Sequence, residues 1–207
     1  KSMNLKPEMR KLVEKYKYIN GERIHERGAL QLEKNLNDDY IKFISFCQNQ
    51  IERNGHGILS LITNNGFLDN PTLRGLRYQL LQTFDELYFL NLHGNSKRDE
   101  SVPADFQKRY GIGPKDENVF ENVHGVGASI MFLIKQRQPA KRKVYYSDLW
   151  GERKFKWDFL SELWDTNGGG FTALKWQELN PEHEDYLFIP VNNLLRNTLN
   201  TKLHKNH

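Results

Sequence analysis

The sequence predicts an α/β fold, with helices layered on a sheet of parallel pairing, and three observations lead there. Apolar residues recur at helical spacing over residues 38–54 and again over 73–84. Two short apolar runs, Ile58–Thr63 and Leu87–Leu92, each follow one of those segments, as strands buried on both faces do. The resulting order of helix, strand, helix, strand is that of a sheet with helices packed over it.

Each element has its own signal. Residues 1–36 are charged and weakly periodic, and predict a connecting segment with one short helix around Pro7–Tyr16. Tyr40, Ile44, Cys47 and Ile51 then share a helical face, with Asn37 or Asp38 to cap its start and Asn54-Gly55 to end it. The strand Ile58–Thr63 stops at the turn Asn64-Asn65-Gly66. Leu73, Leu76, Leu80 and Phe84 form the next apolar stripe, with Arg74 and Arg77 off it. Between His93 and Asn118 lies a long polar stretch of the kind that is usually functional. Gly127–Ile134 predicts another buried strand, followed by a basic turn and Val144-Tyr145-Tyr146. Phe155, Phe159, Leu160 and Leu163 suggest a helix, Gly168-Gly169-Gly170 a break, Leu174–Leu179 and Tyr186–Ile189 short strands, and Leu194–Leu203 a terminal helix.

Composition narrows the function classes. The 207 residues suffice for one domain with a core plus an appendage, and 38% hydrophobic content with 15 glycines excludes a fibrous or disordered chain. Cys47 is the single cysteine, so no intrachain disulfide forms and a reducing cytoplasm is the expected location. No apolar run is long enough to cross a bilayer, so no membrane partner is expected. A net charge of +4 is compatible with a polyanionic partner without demanding one.

Five segments together carry a resemblance: Asp38–Phe43, Leu61–Gly75, Leu92–Ser96, Lys115–Phe120 and Tyr145–Gly151. In this order they resemble the methylase part of type ISP and type IIG restriction-modification polypeptides, in which an adenine-N6 DNA methylase shares one chain with a nuclease and often a helicase. The resemblance runs from about Glu22 to Asn192. It implies a partial Rossmann-like methyltransferase sheet, strands five to seven with flanking helices, plus a small α+β C-terminal extension. Ile58–Thr63 would be the fifth strand, Leu87–Leu92 the sixth, and Gly127–Ile134 an antiparallel seventh slotted between them. Residues 1–36 would connect from the catalytic loop, 37–148 form the second half of the methyltransferase domain, and 149–207 lead toward a target-recognition region.

The parts that such an enzyme needs for chemistry are not in this sequence. Methylating the delocalised adenine amine takes an Asn-Pro-Pro-Tyr-like loop in that family, and Asn70-Pro71-Thr72 and Asn180-Pro181-Glu182 lack both its second proline and its aromatic residue. S-adenosylmethionine needs a glycine-rich turn directly after a strand. Gly111-Ile112-Gly113 sits in a polar loop, and Gly125-Val126-Gly127 precedes a strand. The expectation is a piece of a longer polypeptide that frames the target base, inactive alone, with S-adenosylmethionine bound by the parent and not by this chain. Its partners would be double-stranded DNA and the remainder of that polypeptide.

The resemblance also implies site residues. Phe120, just before the seventh strand, would stack on an adenine flipped out of the duplex; the alternative is a core Phe anchoring the end of a long loop. Asn64 and Asn65, at the carboxyl end of a buried strand, would line the base pocket or simply form a turn. Arg74, Arg77, Lys97, Arg98, Lys108, Arg109 and the cluster over 135–143, with Lys141, Arg142 and Lys143, are candidates for phosphate contacts, against solvated surface charge. Glu152-Arg153-Lys154 has the Glu-x-Lys form of metal-dependent nucleases, but the sequence shows no second carboxylate placed to share the metal. The rival reading from another class is a DNA-specificity module without catalytic ancestry. Finally, a sheet that begins at Ile58–Thr63 has an unpaired edge there, which the N-terminal segment or a second copy of the chain is expected to cover.

Overall fold

The computed structural model describes residues 7–25, 29–98, 100–138, 140–165, 174–181 and 185–190. Two short helices, α1 (Pro7–Glu14) and α2 (Ala29–Leu36), flank a small hairpin of β1 (Tyr18–Ile19) and β2 (Glu22–Arg23). The segment expected to be mainly connection is therefore packed structure, with Val13, Tyr16, Leu32 and Leu36 buried in the main core. Its docking depends on Gly75, where a Cβ would fall 2.0 Å from the carbonyl oxygen of Tyr16.

The central elements follow the periodicity closely. They are α3 (Asp39–Asn54), β3 (Gly57–Asn64), α4 (Arg74–Thr83) and β4 (Glu86–His93). The helix α5 (Ala104–Tyr110) interrupts the long polar stretch, and β5 (Ala128–Lys135), β6 (Lys143–Asp148), α6 (Arg153–Asp165) and β7 (Gln177–Leu179) complete the described elements. The five-stranded sheet has the order β3-β5-β4-β6-β7. Strand β5 runs antiparallel to both neighbours, pairing Met131 with Leu61 on one side and Phe89 on the other. Strands β3, β4 and β6 therefore point the same way, β4 and β6 in direct parallel pairing. The insertion of an antiparallel strand between two parallel ones is the arrangement that the family resemblance implied, and the fold is a Rossmann-like α/β sheet flanked by helices.

Strand alternation divides the apolar residues into two cores. Leu59, Leu87, Phe89, Met131, Leu133, Val144 and Tyr146 face α3 and α4 through Ile41, Ile44, Leu76 and Leu80. Leu90, Leu92, Ala128 and Leu149 face the other way, toward Val119, Phe106, Phe155, Phe159 and Leu163. Leu149 and α6 thus share a core with β4, so no packing boundary falls at residue 148.

Four expectations are corrected or fall elsewhere. Tyr186–Ile189 is not a strand: Phe188 lies flat on Phe89, ring centroids 4.4 Å apart, and its N–H donates to the Leu68 carbonyl. Burying one aromatic ring there outweighs extending the sheet. The glycine run 168–170 and the helix expected over 194–203 lie outside the described residues. The N-terminal segment does not cover the edge of β3 but packs on α3 and α4. Among the described residues that edge pairs with no strand, and it leaves Ile58 69% and Ile62 50% exposed.

Candidate functional site

The carboxyl ends of β3, β4 and β6 meet the amino end of β5 along one rim of the sheet, the place where open α/β sheets bind ligands. A chain of buried polar groups runs beneath that rim. Asn65 donates to the Asn91 side-chain oxygen at 3.0 Å, and Asn91 donates to the Tyr146 hydroxyl at 3.0 Å. Tyr146 in turn donates to Asp148, which also accepts from His93 Nε2 at 2.6 Å. Trp150 stacks on the His93 ring, and Glu100 lies 3.8 Å from its Nδ1. Burial pushes the His93 pKa down, but the Asp148 and Glu100 carboxylates more than offset it and hold it above 6.5. His93 sits at φ 51°, a left-handed conformation that costs a residue with a Cβ and tends to persist at functional sites.

A second set of bonds fixes the loop that carries Phe120. Asp116 and Lys156 form an ion pair at 2.7 Å whose side chains are 2% and 0% exposed. Lys156 also donates to the carbonyls of Leu92 and Glu117, while Asp116 accepts from the backbone N–H groups of Gly94 and Gly151. Four separate stretches, the end of β4, the loop before β5, the turn after β6 and α6, are thus tied at one point. Gly94 is required there, because it has φ +83° and a Cβ would fall 2.4 Å from the Asn118 Cα. Asn118 donates to the Val126 carbonyl and accepts from the Phe120 N–H, and Arg153 donates to the Asn118 carbonyl. Phe120 emerges from this clamp 43% exposed at the rim, so the alternative of a sealed core residue does not hold.

The other expected residues divide. The Asn64 side chain accepts from the Gly66 N–H at 2.7 Å, which is turn chemistry at the rim. Asn65 is 5% exposed and supports the site from below through Asn91. Arg77 is a correction. It is fully buried, and its guanidinium donates to the carbonyls of Phe67, Asn70 and Asp185, so it is not available to a phosphate. Burial lowers its pKa to about 10. Its place off the apolar stripe concealed this, because helix geometry alone does not show that the loop at 67–70 closes over it.

Arg74, in the first turn of α4, is half-buried, and Arg98 pairs bidentately with Asp69 at 2.7 and 3.0 Å. Lys97 and Lys108 are exposed, and the Arg109 guanidinium lies over the Tyr110 ring. Lys141, Arg142 and Lys143 are exposed at the opposite end of the sheet, beyond Lys135. The eight residues of β5 separate that end from the rim by about 23 Å, at about 3.3 Å per residue. Lys154 pairs with Asp158 and Glu152 with Lys115, so the nuclease-like triplet is not assembled. Among the described residues, no three His, Cys, Asp or Glu side chains are grouped to hold a metal. Gly111 closes α5, and Gly127 packs on Asn65. Gly111-Ile112-Gly113 thus follows a helix, and Gly125-Val126-Gly127 leads into β5. No helix among the described residues is long and apolar enough to cross a membrane.

Lys156, Asp116, His93 and Asn91 were not singled out by sequence. For Lys156 a signal was present: at 156, 159, 160 and 163 it occupies the first position of the α6 apolar stripe, where a lysine is buried only with partners.

Fold and rim together define a class by architecture, a Rossmann-like α/β sheet flanked by helices, with an exposed aromatic residue at the rim where open α/β sheets bind ligands. No protein-family model matches the chain, and no curated protein matches it by sequence. Solved structures do. The chain is similar to the ATP-dependent Type ISP restriction-modification enzyme LlaBIII bound to DNA, with a TM-score of 0.66 and 22% identity over 93% of this chain. A nuclease-deletion mutant of the Type ISP restriction-modification enzyme LlaGI, in complex with a DNA substrate mimic, matches 94% of the chain at 18% identity with a TM-score of 0.66. A DrdV–DNA complex determined by cryo-EM matches 77% at 20% identity with a TM-score of 0.58. At these identities the likeness is one of fold. The chain spans only 12%, 17% and 14% of those three proteins.

Proposed function

We propose that the chain is the target-base half of an S-adenosylmethionine-dependent DNA adenine-N6 methyltransferase within a restriction-modification polypeptide. The observation that carries this reading is Phe120, an exposed aromatic residue whose backbone N–H is held by Asn118 in the loop before the antiparallel strand that separates β3 from β4. A base turned out of the duplex presents a flat face, and stacking on an aromatic side chain is worth about 1–3 kcal/mol. The DNA in the similar structures supports the same partner. The methyl group would come from S-adenosylmethionine held by the rest of the polypeptide. This chain's part is to receive the base on Phe120, with Asn64 at the rim, while Asn65 and Asn91 brace the sheet beneath. The free edge of β3, the strand that carries the exposed Ile58 and Ile62, is where the remainder of the sheet would add. The pairing of β3 with β5 favours this over a specificity module without catalytic ancestry.

The reading is tested first in the genomic reading frame preceding Lys1, which should encode a glycine-rich turn after a strand and an Asn-Pro-Pro-Tyr-like loop. A frame with neither sinks it. In the polypeptide that frame encodes, Phe120→Ala should lower methyl transfer to DNA on the order of tenfold or more, for a loss of 1–3 kcal/mol of stacking. Unchanged transfer would remove Phe120 from the site.

A further inference from the structure

Trp157, on α6, is 55% exposed, which is uncommon for a residue that is highly buried on average. Its indole N–H donates to the Val119 carbonyl at 3.1 Å. The ring's one polar group is therefore satisfied internally, and what faces solvent is flat and apolar. That bond also joins it to the residue directly before Phe120, so the two exposed aromatic side chains share one rim. Both are held by the same clamp. Lys156, next to Trp157, anchors to Asp116 and Glu117, while Arg153 anchors to Asn118. Arg153 and Lys154 precede Trp157 by four and three positions and so share its helix face. The Lys154 side chain is 86% exposed and pairs with Asp158 on the same surface. Rigid aromatic faces beside cations are what proteins use to hold unpaired bases while their phosphates pass nearby. A platform whose orientation is already fixed loses little entropy on binding.

We infer that Trp157 is a second nucleobase-stacking residue, taking an unpaired base of the DNA strand beside the one received by Phe120. The inference rests on the reading of Phe120 as a base-receiving residue and extends the contact by one nucleotide along the strand.

The test uses the 207-residue chain and a labelled single-stranded oligodeoxynucleotide, in parallel with the same oligonucleotide made abasic at its centre. Trp157→Ala should weaken binding to the base-containing strand on the order of tenfold, within the range for loss of one stacked base, and leave binding to the abasic strand unchanged. Trp157→Phe should restore affinity to within about threefold, because a smaller ring still stacks. Quenching of intrinsic fluorescence by the base-containing strand should be reduced in Trp157→Phe, and this keeps the test decisive if the alanine variant fails to fold. Equal affinity of the unaltered chain and Trp157→Ala, including no binding by either, overturns the inference, as does undiminished quenching in Trp157→Phe. If Phe120→Ala loses affinity and Trp157→Ala does not, Trp157 is a protein-contact residue and the Phe120 reading survives. If neither variant changes affinity, both fall.

Discussion

Replacing Lys156 with methionine keeps an unbranched side chain, one heavy atom shorter, and removes its charge. In the folded protein the ammonium makes three bonds, at 2.7 Å to Asp116, 2.7 Å to the Leu92 carbonyl and 2.6 Å to the Glu117 carbonyl. Burial pulls its pKa below the ordinary lysine value, with Asp116 acting against that. Lys156→Met leaves a carboxylate that is 2% exposed with only the N–H groups of Gly94 and Gly151 to face. An uncompensated buried charge of this kind costs about 3–5 kcal/mol, out of a total stability of about 5–15 kcal/mol. At an m-value of about 2 kcal/mol/M the urea midpoint should fall by roughly 2 M, followed by far-UV circular dichroism. Asp116→Asn should cost a similar amount by stranding the ammonium. The double variant should lose less than the sum of the two by at least about 1 kcal/mol, because neither charge is then left alone. A midpoint shift under about 0.5 M for Lys156→Met, or strict additivity in the double variant, would refute the account of the clamp.

Four further outcomes are expected. The His93 pKa is raised in the folded protein, so its stabilising contribution is complete below about pH 6.5 and fades as pH climbs through the folded value. The stability difference between the unaltered chain and His93→Gln should therefore shrink on going to alkaline pH, and a difference independent of pH would contradict the placement of Asp148 and Glu100. Arg77→Met should destabilise by about 3 kcal/mol or more through stranded carbonyls, yet leave the salt dependence of DNA binding unchanged. Replacing Lys141, Arg142 and Lys143 by alanine should instead lower the slope of log K against log salt by up to about 2.7, if all three meet phosphates; an unaltered slope takes that end of the sheet out of the DNA surface. Ile58→Lys with Ile62→Lys should abolish any concentration-dependent association seen by sedimentation, at a stability cost within about 0.5 kcal/mol. Association that persists would mean that copies of the chain meet elsewhere.

The amino-acid sequence by itself determined the elements whose cause is local. Helix α3 with its glycine cap, and strands β3, β4 and β5, lie within a residue or two of where their periodicity places them, because spacing of apolar residues reports which side of a helix or strand is buried. It also brought Phe120 to notice, through a resemblance in five ordered segments. What only the tertiary structure decided is which polar groups are enclosed. Lys156 and Asp116 are forty positions apart, and Arg77 meets the Asp185 carbonyl across 108 positions. Whether a charged side chain meets solvent or a ring of carbonyls depends on which distant segment folds over it. Local spacing put Lys156 on the α6 apolar stripe but carries no record of which segment meets it, and it left Arg77 off its stripe and read as surface charge, although both anchor the loops that shape the rim.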